Sequence, residues 1–511
     1  MKPWTTDDPR HQEMNRLVSE FLIKGYHPFS TVEEEGFVNL MRHCAPKYGM
    51  PSRNTFSRKH IPNLYDDLKT KKQCEFKADL PSLQSVSLTT DIWSAHKHSY
   101  LSLTGHYVDP TFKYKSFCLG NQKLCGSHTG TNIRAALEAK ATEWGLNETV
   151  PVYTVTDNAR NITAAVTGHS SWIARSCVLH TMQLAINDAK EEVVGFKSLC
   201  KKATSIVGHF KHSTAASDNL EKHQKECGEP VLCVIQDVET RWNSEYDMLE
   251  RLVKIRKPLH KALEETDIDD LTKEEWKICE TYLEVLAPLK EGTGVLGSNT
   301  FPTSSFVFPF LRGCESKLAK IINSSTNVRG VAFAKSLLKS LKSRFPLYQE
   351  DKVYVFSMIL DPRFKTSLIP IEKRNHWKSN LVNEVIAIGV GGTCSTSEED
   401  VPASSSTKVI RTSIWDDIQD LQSDAAPSTQ KTDKLQVEEE LNLYLGKSIE
   451  PEQTNPYEYW SKEGRHIFKL LERCARKYLP IPASEINSER QFSTAGLIVT
   501  DRRARLDPAQ M

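Results

Sequence analysis

The chain has almost no charge excess: 66 basic residues stand against 65 acidic ones, for a formal net charge of +1. Without a global basic excess there is no long-range field drawing it to nucleic acid, so any DNA contact rests on local groups. Long apolar runs are also lacking. No stretch approaches the ~18 apolar residues needed to span a bilayer. Met1-Lys2-Pro3-Trp4-Thr5-Thr6-Asp7-Asp8 holds no apolar signal segment, so no membrane partner is expected. The 12 cysteines include no C-x-x-C pair. That excludes a zinc ribbon or a thioredoxin-like site and leaves buried free thiols in a reducing compartment as the simplest account. Cys177 and His180 have ligand spacing, but two ligands are half a zinc site. His209 and His212 are candidates for the other half, against the plainer reading of both pairs as packing and capping residues of helices. No zinc site is found in this chain.

What is present is an ordinary globular composition, 39% hydrophobic and 26% charged, in 511 residues. That length is too great for one core and implies two to four structural units. Three acids far apart in sequence organise the reading. Asp91 ends the run Ser85-Val86-Ser87-Leu88-Thr89-Thr90-Asp91, and Asp157 ends Val152-Tyr153-Thr154-Val155-Thr156-Asp157. Both runs are short and β-branched, and each delivers a carboxylate at the carboxyl edge of a strand, where α/β sheets bind ligands. Glu489 lies in Ser484-Glu485-Ile486-Asn487-Ser488-Glu489-Arg490, a helix start with serine and asparagine caps. Two strand-end aspartates and a helical glutamate form an all-oxygen donor set, which suits Mg²⁺ or Mn²⁺. The competing reading makes the two aspartates turn formers or helix caps.

Six words in order resemble the hAT transposase superfamily, and most closely its domesticated BED-type zinc finger branch. They are Thr89-Thr90-Asp91-Ile92-Trp93-Ser94, Val155-Thr156-Asp157-Asn158-Ala159-Arg160-Asn161, Cys177-Val178-Leu179-His180, Gln236-Asp237-Val238-Glu239-Thr240-Arg241-Trp242-Asn243-Ser244, Leu360-Asp361-Pro362-Arg363-Phe364-Lys365 and Ser488-Glu489-Arg490-Gln491-Phe492-Ser493-Thr494-Ala495-Gly496. The resemblance implies an α+β fold: an RNase H-like catalytic core interrupted by a large all-α insertion, with an N-terminal helical domain and a C-terminal dimerisation region. Laid on this chain, that gives a helical domain over 1–80 and the first part of the core over 81–195. The insertion covers 196–388, a disordered linker 389–435, and the rest of the core with the dimerisation region 436–511. In the core's strand order the first and fourth strands lie side by side, which makes neighbours of Asp91 and Asp157.

The resemblance also assigns roles. Asp91, Asp157 and Glu489 are the expected catalytic and metal-binding residues, with Mg²⁺ or Mn²⁺ if catalysis is retained. Arg241, Trp242 and Arg490 are the expected DNA contacts. Trp242 either stacks on an extruded base or anchors the first helix of the insertion by packing. Asp361 and Arg363 are expected to form a structural turn. Nothing in the chain matches the C-x-x-C and histidine pairs of the BED finger that the family usually carries. The expected partners are therefore DNA, bound weakly and with low specificity, and a second copy of the chain, in the nucleus. A domesticated regulator of transcription or chromatin fits the missing finger. An active or recently active transposase, cleaving and transferring DNA strands with a metal, fits the three acids.

The linker expectation rests on the Gly/Ser/Thr/acid composition of 389–435, too poor in apolar side chains to build a core. Limited proteolysis of the full chain should cut first within 389–435. Protection there with earlier cutting elsewhere would refute the assignment.

Overall fold

The computed structural model describes residues 2–95, 98–146, 150–238, 242–298, 300–325, 327–389, 433–486 and 488–490. Nearly all of the expected linker, together with Arg241, lies outside them.

The N-terminal part folds as helices α1 (Pro9–Lys24), α2 (Glu35–Cys44) and α3 (Ile61–Asp79). Asp8 starts α1 by accepting the Arg10 N–H at 2.9 Å, the usual role of a short acid at a helix N-cap. Val18, Leu22, Val32, Tyr48 and Phe56 close a small core of their own.

The chain then enters a five-stranded mixed sheet: β1 (Val86–Ala95), β2 (His98–Val108), β3 (Tyr114–Leu124), β4 (Val152–Thr156) and β5 (Trp172–Ser176). The order is β3-β2-β1-β4-β5. β1 runs antiparallel to β2 and parallel to β4, so the first and fourth strands are adjacent as expected. Side chains alternate between faces. Val86 and Leu88 of β1 and Leu101, Leu103 and Tyr107 of β2 point to one face. There they meet Ile133, Leu137, Ile162 and Val166 from α4 (Gly130–Glu143) and α5 (Arg160–Thr167). The opposite face carries Ser87 and Thr89 of β1 and Ser102, Thr104 and His106 of β2, all buried. One face of the sheet is thus an ordinary apolar core and the other a polar floor.

After α6 (Val178–Glu192) the insertion is wholly helical among the described residues. It runs through α7 (Phe196–His212), α8 (Thr214–Glu226), α9 (Trp242–Lys254), α10 (Arg256–Glu264), α11 (Lys273–Leu296), α12 (Ser304–Ser324), α13 (Val328–Arg344), α14 (Lys352–Ile359) and α15 (Ile371–Ile388). The C-terminal part adds α16 (Asp433–Gly446) and α17 (Lys469–Tyr478). A single apolar core joins α6, the insertion and the C-terminal part.

Three buried polar devices fasten the C-terminal part to the insertion. Asp361, fully buried, pairs with Arg363 at 2.7 Å and accepts the Ser305 hydroxyl at 2.7 Å. Arg363 so held donates to the Glu452 carbonyl at 3.4 Å, while the Glu450 N–H donates to the Pro362 carbonyl at 3.0 Å. Lys365 donates to the carbonyls of Tyr444, Lys447 and Ser448 at 2.8, 2.6 and 3.0 Å, satisfying groups left open at the end of α16. Glu384 accepts from Lys352, from Lys477 and from the Tyr478 hydroxyl. Although burial opposes ionisation, the two lysines and the tyrosine hold the Glu384 carboxyl down at about 2.

Glu384→Ala should therefore destabilise the chain by about 2–4 kcal/mol, since Lys477 is left half-buried without its counter-charge. The wild-type contribution has a defined pH window. The folded carboxyl titrates below its ordinary value of 4.5, so the stabilisation is full above that value and is lost as pH falls towards 2. Denaturant titrations at pH 7 and pH 3 should show the mutational gap narrowing at the lower pH. An equal gap at both would count against this role.

Candidate functional site

The site is built where β1 outruns its parallel neighbour. β1 and β4 pair from Val86↔Val152 to Thr89↔Val155. Asp91 lies two residues beyond the last pair on β1, and Asp157 two residues beyond it on the other side, just past the end of β4. Asp91 does not end its strand, which is a correction to the sequence reading. Antiparallel pairing with β2 continues past it, through Asp91↔Ser102, to Ala95↔His98. The carboxyl edge exists only on the β4 side, because β4 stops at Thr156 and the chain turns at Asp157. That turn is stabilised by Asp157 itself, whose Oδ1 accepts the Ala159 N–H at 3.1 Å. Asp157 thus makes the turn contact that the competing reading proposed.

Glu489 comes to this edge on the segment that follows α17. Val178 N–H donates to the Ala483 carbonyl at 2.9 Å, and Ala483 N–H to Thr303 Oγ1 at 2.9 Å. The Ser484 hydroxyl donates to the Leu296 carbonyl at 3.2 Å. A helical turn begins at Glu485, whose carbonyl accepts the N–H groups of Ser488 and Glu489. The Ser488 hydroxyl reaches Thr89 Oγ1 at 3.1 Å, two residues before Asp91 and on the same face of β1.

Thr89 passes the contact into the polar floor. Its hydroxyl lies 3.2 Å from His106 Nε2, and His106 Nδ1 lies 2.9 Å from the Tyr114 hydroxyl. Complete burial drops the imidazole to about 3, so His106 is neutral. The chain Ser488 to Thr89 to His106 to Tyr114 is satisfied when Nδ1 carries the proton. Tyr114 in turn stacks on Tyr457, with ring centroids 5.0 Å apart.

The sequence reading missed Glu485. It is 3% exposed, and its Oε2 has no hydrogen-bond partner. Burial first, then the nearby charges of Asp91 and Glu489, push its carboxyl up to about 8. The Cys177 thiol lies against it and is pushed well above its ordinary value by burial and by Glu485. Cys177 also accepts the His180 N–H at 3.4 Å at the start of α6, which is the capping role weighed for this pair. The legible signal for Glu485 was its spacing, one helical turn before Glu489.

The metal expectation fits in donor chemistry, since every candidate ligand is a carboxylate oxygen. It does not fit in assembly: among the described residues no three His, Cys, Asp or Glu side chains stand close enough together to hold an ion. Asp91 and Glu489 both lie near the Glu485 carboxyl.

The expected DNA contacts fare differently. Arg241 lies outside the described residues. Trp242 is 4% exposed, edge-on to Tyr246 with centroids 6.3 Å apart, and its backbone N–H donates to Gln183 Oε1 at 2.8 Å. That is the anchoring alternative, because a buried indole offers no free face to a base. Arg490 donates to the Gly297 carbonyl at 2.9 Å and so helps close the end of α11.

Glu485→Gln keeps the shape and removes the titration. In the wild type, stability is full below the ordinary glutamate value of 4.5 and declines as pH rises through about 8, because only the unfolded chain ionises freely. The variant should match the wild type near pH 4.5 and melt higher than it at pH 8.5. A melting-temperature difference that does not grow between the two pH values would contradict the assignment.

Three family models match the chain. The ZBED1 RNase-like domain covers residues 89–185, the ZBED1 RNase-like helical domain 175–285, and the hAT family C-terminal dimerisation region 440–511. Relatives align along nearly its whole length. The human zinc finger BED domain-containing protein 4 is 25% identical over 95% of this chain and 41% of its own length. The putative transcriptional regulator tpeD of Talaromyces stipitatus is 24% identical over 97% of this chain and 60% of its own. The putative AC transposase of Zea mays is 26% identical over 95% of this chain and 62% of its own. The chain thus spans between two fifths and three fifths of the length of these relatives. It belongs to the hAT transposase superfamily, together with the domesticated BED-type zinc finger proteins.

Proposed function

We propose that this is a transposase-derived protein of the nucleus that binds DNA weakly, self-associates through its C-terminal region, and acts as a domesticated regulator of transcription or chromatin. The observation that carries the reading is the state of the acidic edge. The Ser488–Thr89 contact brings the Glu489 segment to the strand that carries Asp91, and among the described residues no three His, Cys, Asp or Glu side chains stand together to hold an ion. Support also comes from the dimerisation-region match over 440–511 and from a relative named as a transcriptional regulator. A net charge of +1 leaves DNA binding to local groups. No described helix is long and apolar enough to cross a membrane.

A second reading, a working transposase, is favoured by one observation: the β1–β4 register, in which Asp91 and Asp157 each lie two residues beyond the last pair. In that reading Asp91, Asp157 and Glu489 would hold Mg²⁺ or Mn²⁺, which supplies Lewis-acid activation of a phosphodiester.

Two measurements separate the readings. Light scattering should give a mass above one chain. Incubation of nicked and hairpin DNA with Mn²⁺ should leave the strands intact. Cleavage that disappears in Asp91→Asn and Glu489→Gln would replace the first reading by the second. A monomer that fails to bind duplex DNA at about 50 mM salt, where phosphate contacts are strongest, would sink both.

A further inference from the structure

The near-neutral total hides one strongly polarised region. Between Glu291 and Glu350 the sequence has eight basic residues and one acidic one, Glu315. This stretch folds into the consecutive helices α12 and α13, 21 and 17 residues long. Three of the cations are spent on the fold. Arg329 faces Glu274 at 3.8 Å, Lys339 pairs with Glu192 at 3.1 Å, and Arg344 with Asp188 at 2.7 Å. These ties lead to α6 and α11. The remaining cations turn elsewhere. Lys317, Lys320, Lys335 and Lys342 are exposed and make no ion pair among the described residues. Arg312, with Glu315 at 3.5 Å, lies beside them.

The spacing gathers this surplus. Lys335, Leu338 and Lys342 recur three and four residues apart along one stripe of α13. Leu338 and Lys342 face Arg312, Ser316 and Ala319 of α12 across an open groove of about 550 Å³. The two helices are ~25–30 Å long at 1.5 Å per residue. A DNA duplex presents one phosphate charge per ~1.7 Å of its axis, a density that exposed lysines on two helices packed side by side, Lys317 and Lys320 on α12 and Lys335 and Lys342 on α13, can meet. Contacts to phosphate position a duplex rather than read its sequence.

We propose that the α12–α13 face of the insertion is the surface that docks the phosphate backbone of duplex DNA, through Lys317, Lys320, Lys335 and Lys342 with Arg312 at the groove. The proposal rests on the DNA-binding reading above and gives it a location away from the acidic edge.

The test uses the full chain and a random-sequence duplex of ~30 base pairs, with binding followed by fluorescence anisotropy between 50 and 200 mM salt. The variant K317Q/K320Q/K335Q/K342Q is compared with K211Q/K257Q/K261Q/K273Q, which removes the same charge from exposed lysines on other parts of the insertion. Exposed substitutions of this kind leave melting temperatures nearly unchanged. Removing four phosphate contacts should flatten the slope of log affinity against log salt by about 3 to 4, cutting the salt-induced loss across this range by roughly a hundredfold. The control set should keep most of the wild-type slope. Equal flattening in both variants, or an unchanged slope in the first, would overturn the location while leaving DNA binding in place. A wild type that does not bind the duplex would overturn the inference and the functional reading together. A labelled polyglutamate peptide provides the last arm. If the first variant loses that peptide but keeps duplex DNA, the face takes an acidic protein and the DNA assignment fails.

Discussion

The stretch from Leu479 to Arg490 is tied to three separate parts of the chain by backbone and hydroxyl hydrogen bonds. Val178 at the start of α6 holds Ala483, Leu296, Gly297 and Thr303 of the insertion hold Ser484, Arg490 and Ala483, and Thr89 of the sheet holds Ser488. Each tie is modest, of the order of 1 kcal/mol. Their effect is geometric: an otherwise irregular segment has one position left to it. The acidic edge, the polar floor and the docking of the C-terminal part all depend on that position. It also explains why a sheet-based core tolerates nearly 200 residues of helical insertion between Glu192 and Glu489: the insertion supplies part of the frame that returns the chain to β1.

The polar floor is an unusual burden for a sheet. Ser87, Ser102 and Thr104 each bury a side-chain oxygen without a hydrogen-bond partner, as does Glu485. Native proteins carry few such groups, and those that persist tend to mark functional surfaces. Here Ser102 lies opposite Asp91 and Thr104 opposite Thr89, while the hydroxyls that are satisfied, Thr89 and Ser488, belong to the relay through His106 and Tyr114. A floor designed for stability alone would have been apolar, as the opposite face of the same strands is.

Electrostatics in this chain is local throughout. The total charge of +1 conceals a surplus of exposed lysines on α12 and α13 that make no ion pair among the described residues, a carboxyl held near 2 at Glu384 and another raised to about 8 at Glu485. The two glutamates differ in what surrounds them: two lysines and a tyrosine in one case, two further acids and a thiol in the other. Burial opposes ionisation at both; the cations around Glu384 reverse that effect, whereas at Glu485 burial prevails and the nearby acids add to it.

Local sequence was sufficient for the strands, because of the β-branched runs from Val86 and from Val152, whereas their order, with β4 beside β1, was readable only through the resemblance to an RNase H-like core. It was sufficient for the turn of Asp361 and Arg363, where both partners lie within three residues. The spacing of Glu485 and Glu489 was also readable, though not the burial that changes the chemistry of Glu485. Only the tertiary structure decided the contacts between distant segments. Lys365 closing α16, Trp242 committed to the core, Ser488 resting on Thr89, and Arg312 of α12 sharing a groove with Lys342 of α13 all join residues whose separation in sequence carries no local signal. The physical reason is that a hydrogen bond or an ion pair is set by position in space, whereas periodicity reports only which face of an element turns inward.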